Sequence, residues 1–241
     1  AIVGRPAHPA DRPPLRDTFA QTVEVLTASL LTSAVKNITA TLHNPFGFEA
    51  PCEPFVPGYG DANADFHVIG DNPRVHGGRD SGIPFTGTEA AERLQRALVA
   101  GGLLSEAGTP PTVEKTYLSY LFMCGDRDPT EEDYADHEPL LDTEIRAITS
   151  HVLLPVGERA TKHVFANMTP ERADDVDMEA LHATEVRGSG WLVYPIKEPA
   201  DWTDADESAL VAALTALLAT DYRQEAELGR FLPNDDVWRV R

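Results

Sequence analysis

Short apolar runs alternate with amphipathic stretches along most of the chain. Asp65-Phe-His-Val-Ile-Gly70 is apolar and ends at glycine, as a buried strand does. Thr116-Tyr-Leu-Ser-Tyr-Leu-Phe122, Val152-Leu-Leu-Pro-Val156 and Trp191-Leu-Val-Tyr-Pro-Ile196 read the same way. Between these runs the apolar period lengthens. Ala90, Ala91, Leu94, Ala97 and Leu98 recur at helical spacing behind Thr88, predicting a capped helix over 88–100. Asp128-Pro-Thr-Glu-Glu opens a second helix to about Thr149, with acidic residues in its first turn. A third is expected over 158–165, and a fourth from Thr203 to about Thr220. Strands that are apolar on both faces and separated by helices predict a parallel sheet covered on both sides. The expected fold is α/β, a three-layer sandwich with a central four-stranded parallel sheet.

The first part of the chain departs from this alternation. Pro6, Pro9, Pro13 and Pro14 prevent regular structure, and one amphipathic helix follows from Asp17 to Val35. Residues 1–36 are therefore expected as an N-terminal extension and 37–241 as the folded domain. Asn44 to Tyr59, with Pro45, Pro51, Pro54 and Pro57, is expected as an irregular loop.

Charge changes the picture of the surface. The 241 residues include 39 Asp+Glu against 20 Lys+Arg, a formal charge of −19. Lysine occurs at positions 36, 115, 162 and 197, and the acidic residues are dispersed rather than gathered in a tail. Dispersed carboxylates read as a solvated surface, and their mutual repulsion is screened in concentrated salt. This favours a salt-accumulating cytoplasm over an ordinary low-pI protein and argues against nucleic acid as a default partner. No apolar run approaches the roughly 20 residues of a membrane helix, and the first residues do not resemble a secretion signal. A soluble, cytoplasmic monomer without membrane contact is expected. Two cysteines, Cys52 and Cys124, exclude a disulfide framework but allow one bridge, or a metal contact with His43 and His137. Those spacings match no standard zinc pattern, so no metal and no cofactor are expected.

In open α/β sheets ligands bind beyond the carboxyl ends of the strands, which directs attention to Asp71–Gly87, Met123–Asp128, Gly157–Arg159 and Lys197–Trp202. The first is the richest in chemistry, and long ordered loops are usually functional. No Walker motif, His-Glu-x-x-His pair or nucleophile elbow occurs. His137 reads as a surface or packing residue, and Tyr117, Tyr120 and Phe122 as core aromatics.

Val68-Ile-Gly-Asp-Asn-Pro73 and Gly82-Ile-Pro-Phe-Thr-Gly87, followed by Asp126-Arg-Asp-Pro-Thr-Glu-Glu132 and Val193-Tyr-Pro-Ile-Lys-Glu-Pro-Ala200, resemble motifs of the uracil-DNA glycosylase superfamily. The layout from about Pro57 to Leu218 is most similar to the iron–sulfur, family 4 branch, haloarchaeal in type by its acidity. Asn72-Pro73 itself looks more like the mismatch-specific and single-strand-selective branches. The resemblance implies hydrolysis of the N-glycosidic bond of a damaged or deaminated base in single- or double-stranded DNA, with the base taken out of the stack. It implies that Phe85 stacks on the base and that Asn72 holds the attacking water, with Asp71 beside it. Gly70, Pro73 and Gly87 would shape the pocket, Gly77, Gly78 and Gly87 would admit close backbone approach, and Arg74, Arg79 and Pro199 would meet DNA. Arg74, Arg79, Arg127 and Arg159 form a local positive patch, or neutralise neighbouring carboxylates. Three positions depart from the pattern. Glu198 stands where the family has the histidine that stabilises the departing base, with Lys197 as a substitute cation. Tyr120 replaces the uracil-selecting Asn. Of the four cluster cysteines only Cys124 has a counterpart, with His137 where another would lie, so no cluster is expected. The rival readings are a non-catalytic member that binds nucleic acid or a partner through the same cleft, and a hydrolase of free nucleosides.

Overall fold

The computed structural model describes residues 41–229, all within one of the two units into which the chain divides, Ile38–Arg241. The helix expected over Asp17–Val35 lies outside the described residues. The strands in chain order are β1 (Tyr59–Gly60), β2 (Phe66–Gly70), β3 (Leu104–Glu106), β4 (Thr112–Val113), β5 (Thr116–Tyr120), β6 (Val152–Pro155), β7 (Val186–Arg187) and β8 (Leu192–Val193). Six form one sheet in the order β1-β5-β2-β6-β8-β7, and β3 and β4 make a separate hairpin. The four expected strands are its parallel centre, with Val68 opposite both Leu118 and Leu154, and Leu153 opposite Val193. The sheet is nevertheless wider than expected. Two-residue antiparallel strands, β1 on β5 and β7 on β8, border it, too short to leave a period-2 pattern.

The helices are α1 (Pro73–His76), α2 (Glu89–Ala100), α3 (Glu131–Ile148), α4 (Glu158–Met168), α5 (Met178–Leu181), α6 (Asp204–Leu218) and α7 (Tyr222–Leu228). Successive strand residues point to opposite faces. Phe66, Val68 and Leu154 thus join Leu94 and Leu98 of α2 and Leu210 and Leu214 of α6 in one core. Ile69, Leu153 and Val193 join Leu141 and Ile145 of α3 and Val164 of α4 in the other. Each such side chain contributes about 1.5–3 kcal/mol on burial, so the sheet is held from both sides. Thr130 and Thr203 begin α3 and α6 with reciprocal capping boxes to Asp133 and Asp206. Thr88 caps α2 through Ala91 N–H at 3.1 Å.

Three helices arise where none was expected, the four-residue α5 among them. In α1, Asn72 is the cap, its Oδ1 accepting from Arg74 N–H (2.9 Å) and Val75 N–H (3.2 Å), and Pro73 supplies a preset first helical residue. In α7, Arg223 and Tyr222 donate to the buried Asp65 at the foot of β2. Burial works against the Asp65 charge, but these donors hold its carboxyl below the usual range. A sealed polar group lies under α3. Tyr117 O–H donates to Glu144 at 2.8 Å, and His67 Nε2 meets Ser119 Oγ at 2.7 Å. Glu144, His67 and Ser119 are all buried. No described helix is long and apolar enough to cross a membrane.

Candidate active site

The carboxyl ends of β2 and β5, the loop after β2, and the corner after β8 meet at one place. Gly70 ends β2 there, and an added Cβ would lie 2.7 Å from Phe85, 2.8 Å from His76 Nδ1 and 2.9 Å from Tyr120. Only glycine permits that approach. The next residue, Asp71, donates its backbone N–H to His76 Nδ1 at 3.0 Å. That bond requires a bare Nδ1, so the neutral ring carries its proton on Nε2. Nε2–H points to Glu198 Oε2, 3.0 Å away, on the corner after β8. One imidazole thus links the two stretches that carry the sequence motifs.

Phe85 sits beside it with φ 57°, a left-handed conformation costly for a bulky residue. Its backbone is held at both ends: its N–H donates to Tyr120 O–H at 2.6 Å, and its carbonyl accepts from Gln95 Nε2 at 2.6 Å. Tyr120 in turn donates to the Gly77 carbonyl at 3.0 Å. The Phe85 ring lies 5.1 Å from Tyr120 and 5.5 Å from His76, and all three side chains are 2% exposed or less. The Tyr120 phenol is pushed far above its ordinary value, first by burial, so it stays a neutral hydroxyl. Its donor is committed within the protein, and its oxygen already accepts from Phe85.

On the other side of Asp71 the surroundings are polar and open. The carboxylate accepts from Tyr134 O–H, and its second oxygen is 4.0 Å from Arg159 Nε. The Arg159 guanidinium lies over the Tyr134 ring at 4.4 Å. Burial, then the Asp71 carboxylate, keeps the Tyr134 proton on its oxygen. A groove of about 560 Å³ lined by Glu131, Tyr134, Arg159 and Lys162 adjoins this group. A second groove of about 510 Å³ runs along Arg74, Gly77, Gly78, Arg79, Thr86 and Gly87.

Asp71, Phe85, Tyr120 and Glu198, with Gly70 and Pro73, are brought around one turn of chain. The others stand differently. The Asn72 oxygen is committed to capping α1, which leaves only its amide N–H, 3.4 Å from Tyr134 Oη. Lys197 does not supply a cation here. Its ammonium is 2.5 Å from Glu179 and 3.8 Å from Asp206, because neighbouring residues of the extended corner face opposite ways. Pro199 is buried and opens a short 3-10 turn. Arg74, Arg127 and Arg159 are paired with Asp128, Asp133 and Glu131, which is the neutralising role. Arg79 alone of the four has no carboxylate partner among the described residues. Gly87, at φ 75°, has open space where a Cβ would be. His76 was missed, since a lone histidine in a loop carries no periodic signal. The Asn72-Pro73 helix start, which places it one turn later, was the available clue.

Cys52 and Cys124 form a disulfide, with Cα atoms 5.9 Å apart. His137 lies beside Cys124 rather than at the surface, and stacks edge-on to Phe122 at 4.4 Å. His43 is elsewhere, with Nε2 3.0 Å from the Gly82 carbonyl. A four-iron cluster needs four thiolates, and this donor set does not fit one.

The loop after β2 thus brings the Asp71 carboxylate and the Phe85 ring close to the corner after β8, with His76 between them. A family model of the uracil DNA glycosylase superfamily matches residues 57–217. The chain belongs to that superfamily. It is 29% identical over 142 residues to a type-5 uracil-DNA glycosylase of Pyrobaculum aerophilum, covering 55% of this chain and 62% of the relative. It is 25% identical over 157 residues to a type-4 uracil-DNA glycosylase of Sulfurisphaera tokodaii, covering 60% and 64%. The chain thus spans less than two thirds of the length of these curated relatives.

Proposed function

We propose that this chain is a DNA N-glycosylase that hydrolyses the bond between a damaged or deaminated base and its deoxyribose. The observation that supports this reading above all is the chain of contacts from Asp71 N–H through His76 to Glu198, beside Phe85. Asp71 is the carboxylate that holds and activates water, oriented by Tyr134, and its charge steadies the oxocarbenium-like sugar. Asn72 assists through its amide N–H, since its oxygen caps α1. The flipped base stacks on Phe85 as the His76–Glu198 contact opens. His76 Nε2–H then passes from Glu198 to the departing base, taking the place of the histidine that Glu198 replaces. A neutral imidazole serves as a hydrogen-bond donor to the developing anion without itself needing a charge. Glu198 would repel a carbonyl oxygen, so it favours a base that presents a donor on that edge. Tyr120, spent on Phe85 and Gly77, does not select uracil.

Arg79 and the glycine-rich groove would take the DNA backbone, single- or double-stranded. We read the acidic surface as an adaptation to concentrated salt in a cytoplasm, with the chain working as a monomer. Counterion release drives little binding there, so stacking and short-range hydrogen bonds carry it.

One observation favours a second reading, a non-catalytic member that only binds: His76 and Tyr120 fill the space against Phe85. Oligonucleotides carrying uracil, hypoxanthine, xanthine or mismatched bases, incubated in high salt, separate the two. Abasic sites support excision. Retention of DNA without any abasic site supports binding alone, and turnover of free nucleosides only would replace both.

A further inference from the structure

The corner between Cys52 and α3 holds four donor groups that excision does not use. Cys52 Sγ, Cys124 Sγ and a carboxylate oxygen of Asp126 lie within 4.8 Å of one another. His137 Nε2 is 3.4 Å from Cys124 Sγ but stands outside that close group of three, so it completes the set by closing in once the S–S bond opens. The other ring nitrogen, Nδ1, is 3.0 Å from the Asp133 carbonyl one turn back on α3. A carbonyl only accepts, so Nδ1 carries the proton and Nε2 presents a bare lone pair. In the disulfide, Cys124 has no hydrogen to offer it, and two acceptors face each other. A histidine that donates one nitrogen to a carbonyl and offers the other to a vacant position is how protein ligands to metals are oriented. A tetrahedral ion about 2.3 Å from a thiolate sulfur and about 2.0 Å from an imidazole nitrogen separates the two by about 3.5 Å, the spacing found here. The two cysteine segments do not depend on the S–S bond for their position. Val56 N–H donates to the Met123 carbonyl at 2.8 Å, and Gly125 N–H to the Pro54 carbonyl at 3.0 Å.

We propose that, when the disulfide is reduced, Cys52, Cys124, His137 and Asp126 bind a single zinc-like divalent cation. The corner then alternates between a disulfide and a mononuclear metal site. A dithiol reductant supplies two electrons and two protons. Its own thiols close to a disulfide as the Cys52–Cys124 bond breaks to two thiols, and metal binding releases those two protons to solvent. Two sulfurs, one imidazole and one carboxylate suit zinc. The half-exposed Cys52 and exposed Asp126 leave a path for the ion.

The test uses the full chain, reduced with a phosphine, stripped with a chelator and titrated with Co²⁺ under inert gas. One equivalent per chain is expected, with thiolate-to-cobalt charge-transfer absorption that Zn²⁺ abolishes. Alkylation of both thiols should slow at least about tenfold with zinc bound. His137→Gln, which keeps both cysteines, should weaken binding at least about tenfold, and the oxidised chain should show no charge-transfer band. The proposal is overturned if the reduced chain takes up no cobalt, if it unfolds even with zinc present, or if His137→Gln binds as tightly as the parent. Reconstitution with iron and sulfide to four irons per chain would overturn it as well.

Discussion

Two groups of polar side chains flank the same sheet and differ in what reaches them. Under α3, Glu144 is fully buried with Tyr117, and burial pushes its carboxyl up to about 8. Burial likewise pulls the nearby His67 down to about 3. At the carboxyl ends of the strands, Asp71 and Glu198 are partly exposed and held by Tyr134 and His76. Strongly shifted acidity is often a mark of function, yet here the largest carboxylate shift lies where no substrate can enter. Desolvation alone produces it. In the proposed function, the acids that act on a ligand are those with an orienting partner and access to solvent.

The sharpest way to break this contrast is Glu144→Gln. The folded chain keeps a proton that the unfolded chain releases above about pH 4.5, so stability falls as pH rises and levels off beyond about 8. The variant should match the parent below pH 4.5 and exceed it by up to about 5 kcal/mol above pH 8, with excision rate unchanged. Urea unfolding across pH measures this, and a constant gap would refute it. Asp71→Asn should do the opposite, lowering single-turnover excision about 10²–10³-fold with an unaltered melting temperature. Tyr120→Phe lies between the two groups. It strands the Phe85 N–H and Gly77 carbonyl and should cost about 1–3 kcal/mol in denaturant unfolding. Arg79→Ala should have the smallest effect, a few-fold loss of DNA affinity and a salt-dependence slope reduced by about one. Unchanged affinity would remove Arg79 from the interface.

The four parallel strands and the larger helices were legible because each writes a period of two or 3.6 over several residues, and because Thr88, Thr130 and Thr203 mark helix starts. The helix expected over 158–165 runs on to Met168, whose side chain packs in the core. The edge strands β1 and β7 were not legible, since two residues carry no period. Within the site, the motif loop and Phe85 could be named from their order in the chain. The direction of Lys197 could not, because it depends on Glu179 and Asp206 packing beside it. Nor could the commitment of the Asn72 oxygen to α1, which appears only once the turn is built.

From the residues alone came the layered α/β architecture, the family and the stretches of chain that make up the candidate site, because periodicity, caps and glycines act locally. Folding determined which atoms face one another across it. His76 meets Glu198 across 122 positions, Tyr120 holds Phe85, and Cys52 finds Cys124 across 72. Such pairings depend on how the layers stack, and a side chain's partner is set by the distances that remain when the sheet has closed its two cores.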